Sequence, residues 1–295
     1  MTTTIPPRPT RPQRPTFGPR LGKASLQLQP PRIVVNAVEG WGKTTLAAYA
    51  PEPAILMARG ETGFTTLRGA GLVPDCDCVE LATWDDTLKV LRDLEASSYK
   101  TIVLDALNGF ERLCHELVCE RDFGGVWGEQ GFGAYGRGAS INSPKDWLNF
   151  LGALDNLRVK IGSTILILSH VKVAPFKNPD GPDYDRWVAD CHAATWSLTS
   201  KWADAVLFGR FNDGTRSDRK NVKAKAVGGT HRVICTERTA AWDAKNRYRM
   251  PAVIDIPADP AANWPTVWSA LTAGGAQPTH AETPDDDTTP ETPED

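Results

Sequence analysis

Short runs of apolar residues alternate along the chain with segments whose apolar residues recur at helical spacing. The short runs are apolar at nearly every position, which predicts strands buried on both faces of a sheet. The predicted strands are Arg32–Ala37, Pro53–Ala58, Cys78–Ala82, Lys100–Asp105, Ser163–Ser169, Ala205–Arg210, Val222–Ala226 and His231–Thr236. The predicted helices are Lys43–Ala50, Trp84–Ser97 with Thr83 as its cap, Asn108–Arg121, one that begins with Ser143 as its cap and Pro144 in its first turn, and one that holds Trp264 and Trp268.

Buried strands that alternate with helices are typical of an α/β fold in which helices cover both faces of a mostly parallel sheet. The later strands have fewer helices between them, which predicts antiparallel strands at one edge. Two long stretches, the glycine-rich Gly124–Ser143 and the polar Val171–Lys201, are predicted to be loops. Loops of this length are functional or disordered more often than they are simple connections.

The charge of the chain is distributed unevenly, although the 295 residues sum to a net charge of only −3. Residues 1–31 hold eight prolines and five basic residues without one acid, and the last fourteen residues hold seven acids. Neither end has enough apolar residues to offset its ordering entropy. The sequence therefore predicts a disordered basic arm (1–31), a folded core (32–273) and a disordered acidic tail (274–295). A near-zero total does not exclude a nucleic-acid partner.

Several classes of protein are not expected. No run approaches the roughly 18 apolar residues of a membrane helix, so no membrane partner is predicted. The basic N-terminal segment lacks the apolar region of a secretory signal. Six cysteines in a chain of this length do not make a disulfide scaffold, and their spacing does not match zinc-binding pairs. The expected location is the cytoplasm.

The strongest chemical signal is the segment from Ala37 to Thr44, AVEGWGKT, between a predicted strand and a predicted helix. It fits the phosphate-binding pattern G-x-x-x-x-G-K-[ST], with Ala in place of the first Gly. Backbone N–H groups would cradle phosphates, Lys43 would supply a cation, and Thr44 would hold Mg²⁺. The predicted ligands are ATP and Mg²⁺, and the alternative is a glycine-rich turn that binds nothing. The predicted nucleotide-binding residues are Ala37, Val38, Glu39, Gly40, Trp41, Gly42, Lys43, Thr44 and Thr45.

Two carboxylates are candidates for the rest of such a site. Asp105 ends an apolar strand and fits the second metal-side position, next to Thr44. Its alternative role is to cap the following turn. Glu61 follows the second strand, where a carboxylate would lie near the γ-phosphate and orient water. Its alternative is a solvated turn residue.

Taken together, these pieces resemble the RecA-like ATPases, and most closely the phage nucleotide-binding proteins of the RecA-like single-strand annealing group. Four stretches carry the resemblance: the phosphate loop, Leu56–Glu61 (LMARGE), Ile165–Lys172 (ILILSHVK) and Ala244–Tyr248 (AKNRY). The last is similar to the Lys-Asn-Arg-Phe-Gly motif of RadA proteins, although Arg249 stands where that motif has Gly. The zinc ribbon and the protease-like domain of RadA have no counterpart in this sequence.

The resemblance implies a RecA-like fold and assigns roles to several side chains. Lys43 and Glu61 would be catalytic, and His170 would sense the γ-phosphate. Lys245 and Arg247 would reach the nucleotide of a neighbouring subunit, so a ring or filament of identical chains is implied. The alternatives are a hydrogen-bonded strand-end histidine for His170 and a solvated basic turn for the other two residues.

The two long loops are candidates for binding single-stranded DNA, because rings stack on bases and cations follow the phosphate backbone. Lid or subunit-contact loops would use the same aromatic residues as packing anchors. The predicted function is an ATP-hydrolysing protein of phage-type recombination or strand annealing, with a single-strand-binding protein as a further partner. A helicase-like motor or loader, and a nucleotide-gated DNA-binding module with little turnover, are the alternatives. The candidate DNA-binding residues are Trp127, Tyr135, Arg137, Lys172, Lys177 and Arg186.

Overall fold

The computed structural model describes residues 29–212, 214–216, 225–227 and 229–273. The predicted disordered segments lie outside the described residues, except for 29–31 of the basic arm. The strand predicted at Val222–Ala226 is described only from Lys225.

Thirteen strands are found in the described part of the chain, and most of the predicted ones are confirmed. They are β1 (Arg32–Ala37), β2 (Pro53–Ala58), β3 (Asp77–Leu81), β4 (Thr101–Asp105), β5 (Thr164–Ser169), β6 (Val171–Phe176), β7 (Tyr184–Ala189), β8 (Ala205–Phe211), β9 (Gly214–Arg216), β10 (Lys225–Val227), β11 (Arg232–Cys235), β12 (Lys245–Asn246) and β13 (Val253–Ile256).

The described ranges hold seven α-helices, of which six lie between strands and the last follows β13. They are α1 (Lys43–Ala48), α2 (Gly63–Gly69), α3 (Trp84–Asp93), α4 (Leu107–Phe123), α5 (Ser143–Lys160), α6 (Ala193–Trp202) and α7 (Asn263–Ala273). The predicted cap of α3 is confirmed, because the Thr83 hydroxyl accepts the Asp86 N–H at 3.1 Å. Helix α5 begins one residue earlier than predicted, with Asn142 as its cap.

The main sheet has the strand order β13-β11-β8-β1-β5-β4-β2-β3. The six strands from β8 to β3 are parallel, while β11, β13 and β12 are antiparallel additions next to β8. The mostly parallel α/β fold with antiparallel edge strands is therefore confirmed. Strand β5 lies between β1 and β4, which places the end of β5 between the phosphate loop and Asp105.

Both faces of the sheet are covered, as the uniformly apolar strands require. Successive residues of β1 point to opposite faces: Val34 packs with Trp84 and Leu154 on one side, and its neighbours Ile33 and Val35 pack with α1 and α7 on the other. This double burial fixes the strand ends in space, and therefore fixes the loops that follow them.

Both loop predictions are wrong in part. Within Gly124–Ser143, a 3₁₀ turn (Ala134–Gly136) leads into a π-helical turn (Arg137–Asn142) before α5. Within Val171–Lys201, β6 and β7 form an antiparallel hairpin that is followed by α6. The hairpin stands outside the main sheet and is only partly buried, so its strands lack the apolar runs that reveal the central strands.

Candidate active site

The candidate site lies at the carboxyl edge of the parallel strands, where open α/β sheets place their ligands. Strand β1 leads into the phosphate loop, β4 ends in Asp105, β2 leads to Glu61 and β5 leads to His170. Because these strands are parallel neighbours, side chains that are far apart in the sequence meet at one edge. The fold therefore brings together the four candidates on which an ATPase reading depends.

The phosphate loop owes its shape to two glycines. Gly40 and Gly42 have φ values of +69° and +102°, a region that residues with a Cβ rarely adopt. A Cβ on Gly42 would also lie 2.7 Å from the guanidinium of Arg232. The N–H groups of Val38 and Trp41 donate to Gly209 and Val38 carbonyls, so these two hold the loop rather than a phosphate. The side chain of Glu39 is exposed.

The ammonium group of Lys43 is held inside the loop. Its side chain is buried, and Nζ donates to the carbonyl oxygen of Ala37 at 3.0 Å. Burial lowers the pKa of Lys43, and the nearby charges of Asp105, Glu39 and Glu61 oppose that effect. The ammonium group of Lys43 is therefore partly removed from water. A phosphate that enters the loop would give it an anionic partner.

Thr44 and Asp105 face each other across the gap between α1 and β4. The Thr44 hydroxyl donates to Asp105 Oδ2 at 2.9 Å, and the Asp105 side chain is buried. Burial raises the pKa of Asp105, while the Thr44 hydrogen bond lowers it. Hard oxygen atoms in this arrangement suit Mg²⁺ carried by a nucleotide, so the residues fit the ion. Within the described residues, no cluster of three or more His, Cys, Asp or Glu side chains forms a separate metal site.

Glu61 sits in a tight turn immediately after β2. Its N–H donates to the carbonyl of Ala58 at 3.0 Å, and Gly60 takes a φ of +90°. Arg112 on α4 donates to the carbonyl of Arg59, which ties the turn to the helix. Burial raises the pKa of Glu61, while the charges of Arg112 and Lys43 lower it. A half-buried carboxylate with a raised pKa is suited to accept a proton from water.

Helix α4 supports this turn through a close contact at Gly109. A Cβ on Gly109 would lie 2.5 Å from the Ala58 Cβ and 3.7 Å from Glu61 Oε1. Only glycine lets the helix approach the strand end so closely.

We expect Gly109→Ala to destabilise the protein by about 1–3 kcal/mol, because the added methyl group forces helix and strand apart. Gly152→Ala is the matched control, since Gly152 also lies inside a helix but a Cβ there meets nothing within 4 Å. That change should stabilise by about 0.5–1 kcal/mol through helix propensity. Urea unfolding of both variants measures the change in the free energy of unfolding. Equal changes would contradict the prediction, because the protein would then accommodate the methyl group at position 109 without being destabilised.

His170 connects the end of β5 to the hairpin. Its carbonyl accepts the Asp190 N–H at 2.8 Å, which closes the base of the hairpin. Burial and the positive charge of Lys43 lower the pKa of His170, whereas Asp105 raises it. The imidazole is therefore driven toward its neutral form, in which one ring nitrogen donates and the other accepts a hydrogen bond.

The sequence matches a family model described as an AAA domain over residues 29–248. That match covers well over half of the chain and includes Lys43, Glu61, Asp105 and His170. The chain belongs to the AAA-domain family. It is a P-loop NTPase by family and by fold.

Among solved structures, this AAA-domain protein is similar to a KaiC-like protein from the archaeon Pyrococcus horikoshii, at 12% identity. The alignment covers 79% of this chain and 88% of that chain, with a TM-score of 0.37. No curated protein matches the sequence.

Trp41 is one of the predicted nucleotide-binding residues, and its side chain contacts the sheet of the AAA domain behind the phosphate loop. The side chain is 1% exposed, and its indole N–H donates to the carbonyls of Arg210 and Val233 at 3.2 Å. The ring lies against Gly209, where a Cβ would come within 2.7 Å. Trp41 therefore anchors the phosphate loop to β8 and β11, with its ring buried against the sheet.

Lys245 and Arg247 lie at the opposite edge of the sheet from the phosphate loop of the same chain. Lys245 pairs with Val206 near the start of β8, whereas Ala37 pairs with Gly209 near its end. Lys245 Nζ donates to the carbonyls of Ser200, Lys201 and Ala203 at the end of α6, at 2.6–3.0 Å. The Arg247 side chain is half exposed and pairs with Asp204 at 3.1 Å. In this conformation Arg247 is the more accessible of the two cations.

The candidate DNA-binding residues differ in accessibility. Tyr135 is fully exposed, Trp127 is half exposed and Arg137 is exposed. On the hairpin, Lys172 pairs with Asp190 and Lys177 pairs with Asp183, both on the surface.

The prediction of Arg186 as a surface contact needs correction. Its side chain is 5% exposed, pairs with Asp243 at 2.5 Å and lies over the ring of Phe176. Arg186 therefore joins the hairpin to the segment before β12 and is not presented to solvent.

A cavity of about 630 Å³ lies at the amino edge of the sheet, away from the candidate active site. Its lining includes the stacked pair Trp264 and Trp268 together with Arg247 and Arg249. Trp264 is buried in the core, and Trp268 is partly buried against it. No helix in the described ranges is long and apolar enough to cross a membrane.

Proposed function

We propose that this AAA-domain protein binds and hydrolyses ATP with Mg²⁺ at the carboxyl edge of its sheet, and that it binds single-stranded DNA in phage-type recombination or strand annealing. The observation that carries the ATPase part is the cluster itself. A buried Lys43, the Thr44–Asp105 hydrogen bond and the half-buried Glu61 carboxylate surround the end of one phosphate loop.

Each side chain has a distinct role in this proposal. Lys43 leaves the Ala37 carbonyl and donates to the β- and γ-phosphates, where its charge offsets the negative charge of the transition state. Thr44 and Asp105 would hold Mg²⁺ with the nucleotide, and that ion would neutralise phosphate charge.

Glu61 orients a water molecule and accepts its proton. The water oxygen forms a bond to the γ-phosphorus while the bond from that phosphorus to the bridging oxygen breaks, so ADP leaves with the electron pair. His170 donates to the γ-phosphate through its neutral ring, and its backbone transmits the contact to the hairpin base.

Three exposed groups support the DNA part of the proposal. Tyr135, Trp127 and Arg137 lie on one segment before α5, which therefore presents two accessible rings and one cation. Lys172 and Lys177 stand on the hairpin that begins next to His170. Rings and cations without a rigid base-reading element suit sequence-independent binding of single strands.

Self-association belongs to the same proposal. Arg247 lies at the edge opposite its own phosphate loop, so it could complete a nucleotide site only on a second copy. The apolar cavity beside it, with Trp268 and Leu271 in its lining, offers packing surface for such a neighbour. A cytoplasmic location and a single-strand-binding partner complete the proposed setting.

We expect the double variant Trp127→Ala, Tyr135→Ala to bind an oligo(dT) strand about 10-fold or more weakly, because stacking contributes about 1–3 kcal/mol per base. Fluorescence anisotropy in the presence of Mg·ATP measures the affinity. Leu72→Ala, which removes an exposed apolar side chain on another surface, is the control and should bind normally. Unchanged affinity of the double variant would remove this segment from the proposal, and absence of binding by the unmodified chain would remove DNA altogether.

A further inference from the structure

The guanidinium of Arg232 lies against the phosphate loop on the side away from Asp105 and Glu61. Arg232 begins β11, and its Nη1 donates to the carbonyl of Trp41 at 3.2 Å. The same nitrogen would lie 2.7 Å from a Cβ on Gly42, and that Cβ would be 4.0 Å from the Thr45 side chain. Arg232 therefore flanks the start of α1 directly.

The strand order gives the two flanks of the loop different chemistry. On one side of β1 are β5, β4 and β2, which carry His170, Asp105 and Glu61. Those groups mark where the γ-phosphate and its metal ion belong. On the other side are β8 and β11, which carry Arg232. A nucleotide whose γ-phosphate points toward Asp105 has its α-phosphate and ribose on the Arg232 side.

Among the residues that the structure describes, no carboxylate pairs with the charge of Arg232. Nη2 donates to the carbonyl of Pro257 at 2.9 Å, and neither of its described hydrogen-bond acceptors is a carboxylate. Burial lowers the pKa of Arg232, and no charged neighbour among the described residues compensates for it. A guanidinium has five N–H donors, and these two hydrogen bonds use two of them. An anionic ligand would supply the missing charge.

We propose that Arg232 is a nucleotide-binding residue that contacts the α-phosphate or ribose of the bound nucleotide, and so favours nucleotides over inorganic pyrophosphate, which has counterparts of the β- and γ-phosphates only. This inference rests on the proposed ATP-binding function. Arg232 lies about 190 positions after the phosphate loop in the sequence, outside the four stretches that carry the family resemblance.

The competing role for Arg232 is a clamp that holds the Trp41 carbonyl and shapes the loop. The two roles predict different selectivity. A damaged loop would lose affinity for every ligand whose phosphates it cradles, including inorganic pyrophosphate. Loss of a contact beyond the β-phosphate would weaken ATP and ADP, and would spare pyrophosphate.

The test is equilibrium binding of ATP, ADP and inorganic pyrophosphate, each with Mg²⁺, to the full chain and to Arg232→Gln. The ratio of pyrophosphate affinity to ATP affinity should rise about 10-fold, the size of one hydrogen bond to a charged group. Arg232→Lys keeps the charge and the fold but not the planar fork, and should also raise the ratio. Arg238→Gln, an exposed arginine paired with Asp243, is the control and should leave it unchanged.

Equal losses for all three ligands, in both Arg232 variants, would overturn the proposal in favour of the clamp. No loss for any ligand would overturn it as well. Failure of the unmodified chain to bind either ATP or pyrophosphate would instead contradict the proposed function, so the two failures are distinguishable.

Discussion

Glu61→Gln is expected to lower the rate of ATP turnover by about 100- to 1000-fold and to change ATP affinity only a few-fold. Glutamine keeps the size of the side chain and its place beside Gly109, but it cannot accept a proton from water. General bases contribute about 10²- to 10⁴-fold to catalysis. Steady-state phosphate release gives the rate, and equilibrium binding of ATP gives the affinity.

Glu95→Gln is the matched control for this substitution. Glu95 pairs with Lys160 on the surface, away from the site, so its replacement should leave turnover within about twofold. A Glu61→Gln variant that hydrolyses ATP at the normal rate would exclude Glu61 as the base. The exposed Glu39 of the phosphate loop would then be the next carboxylate to test.

Lys43→Met is expected to lower kcat/KM for ATP by about 1000-fold and to weaken ATP binding at least 10-fold. Methionine retains most of the buried stem and removes only the charge that meets the β- and γ-phosphates. Groups that stabilise developing charge contribute about 10²- to 10³-fold each to the rate, and here the ground state is weakened as well.

Lys89→Met, on the exposed surface of α3, controls for the loss of a lysine. The thermal unfolding midpoint of Lys43→Met should stay close to that of the unmodified chain, because a desolvated ammonium is costly to keep buried. Normal ATP affinity in Lys43→Met would mean that phosphates do not enter this loop.

The sequence predicts the central sheet well because its strands are buried on both faces. Burial on two sides requires apolar residues at nearly every position. Strands β1, β2, β4 and β5 can therefore be recognised in the sequence as continuous apolar runs. Hairpin β6–β7 is only partly covered, so its residues obey no such pattern and the segment looks like a loop. The sequence does not reveal the helical turns before α5 either, because the glycine and serine residues of that segment favour loops.

The same distinction separates the site residues that the sequence predicts from those that it does not. Lys43, Thr44, Asp105 and Glu61 lie within or at the ends of elements that the sequence marks clearly, and the parallel sheet brings them together. Arg232 and the anchoring role of Trp41 depend on β11 packing beside β8, a pairing between distant segments that no local pattern encodes. The burial of Arg186 depends likewise on Asp243, which lies 57 residues away in the chain.

The most direct test of the ATPase account is phosphate release by the full chain at saturating Mg·ATP, measured with and without single-stranded DNA. The account predicts turnover that single-stranded DNA increases, and that Lys43→Met and Glu61→Gln each lower by about 100-fold or more. Phosphate release that is absent, or that both variants retain in full, would contradict the account. A rate that DNA leaves unchanged would contradict its DNA-binding part.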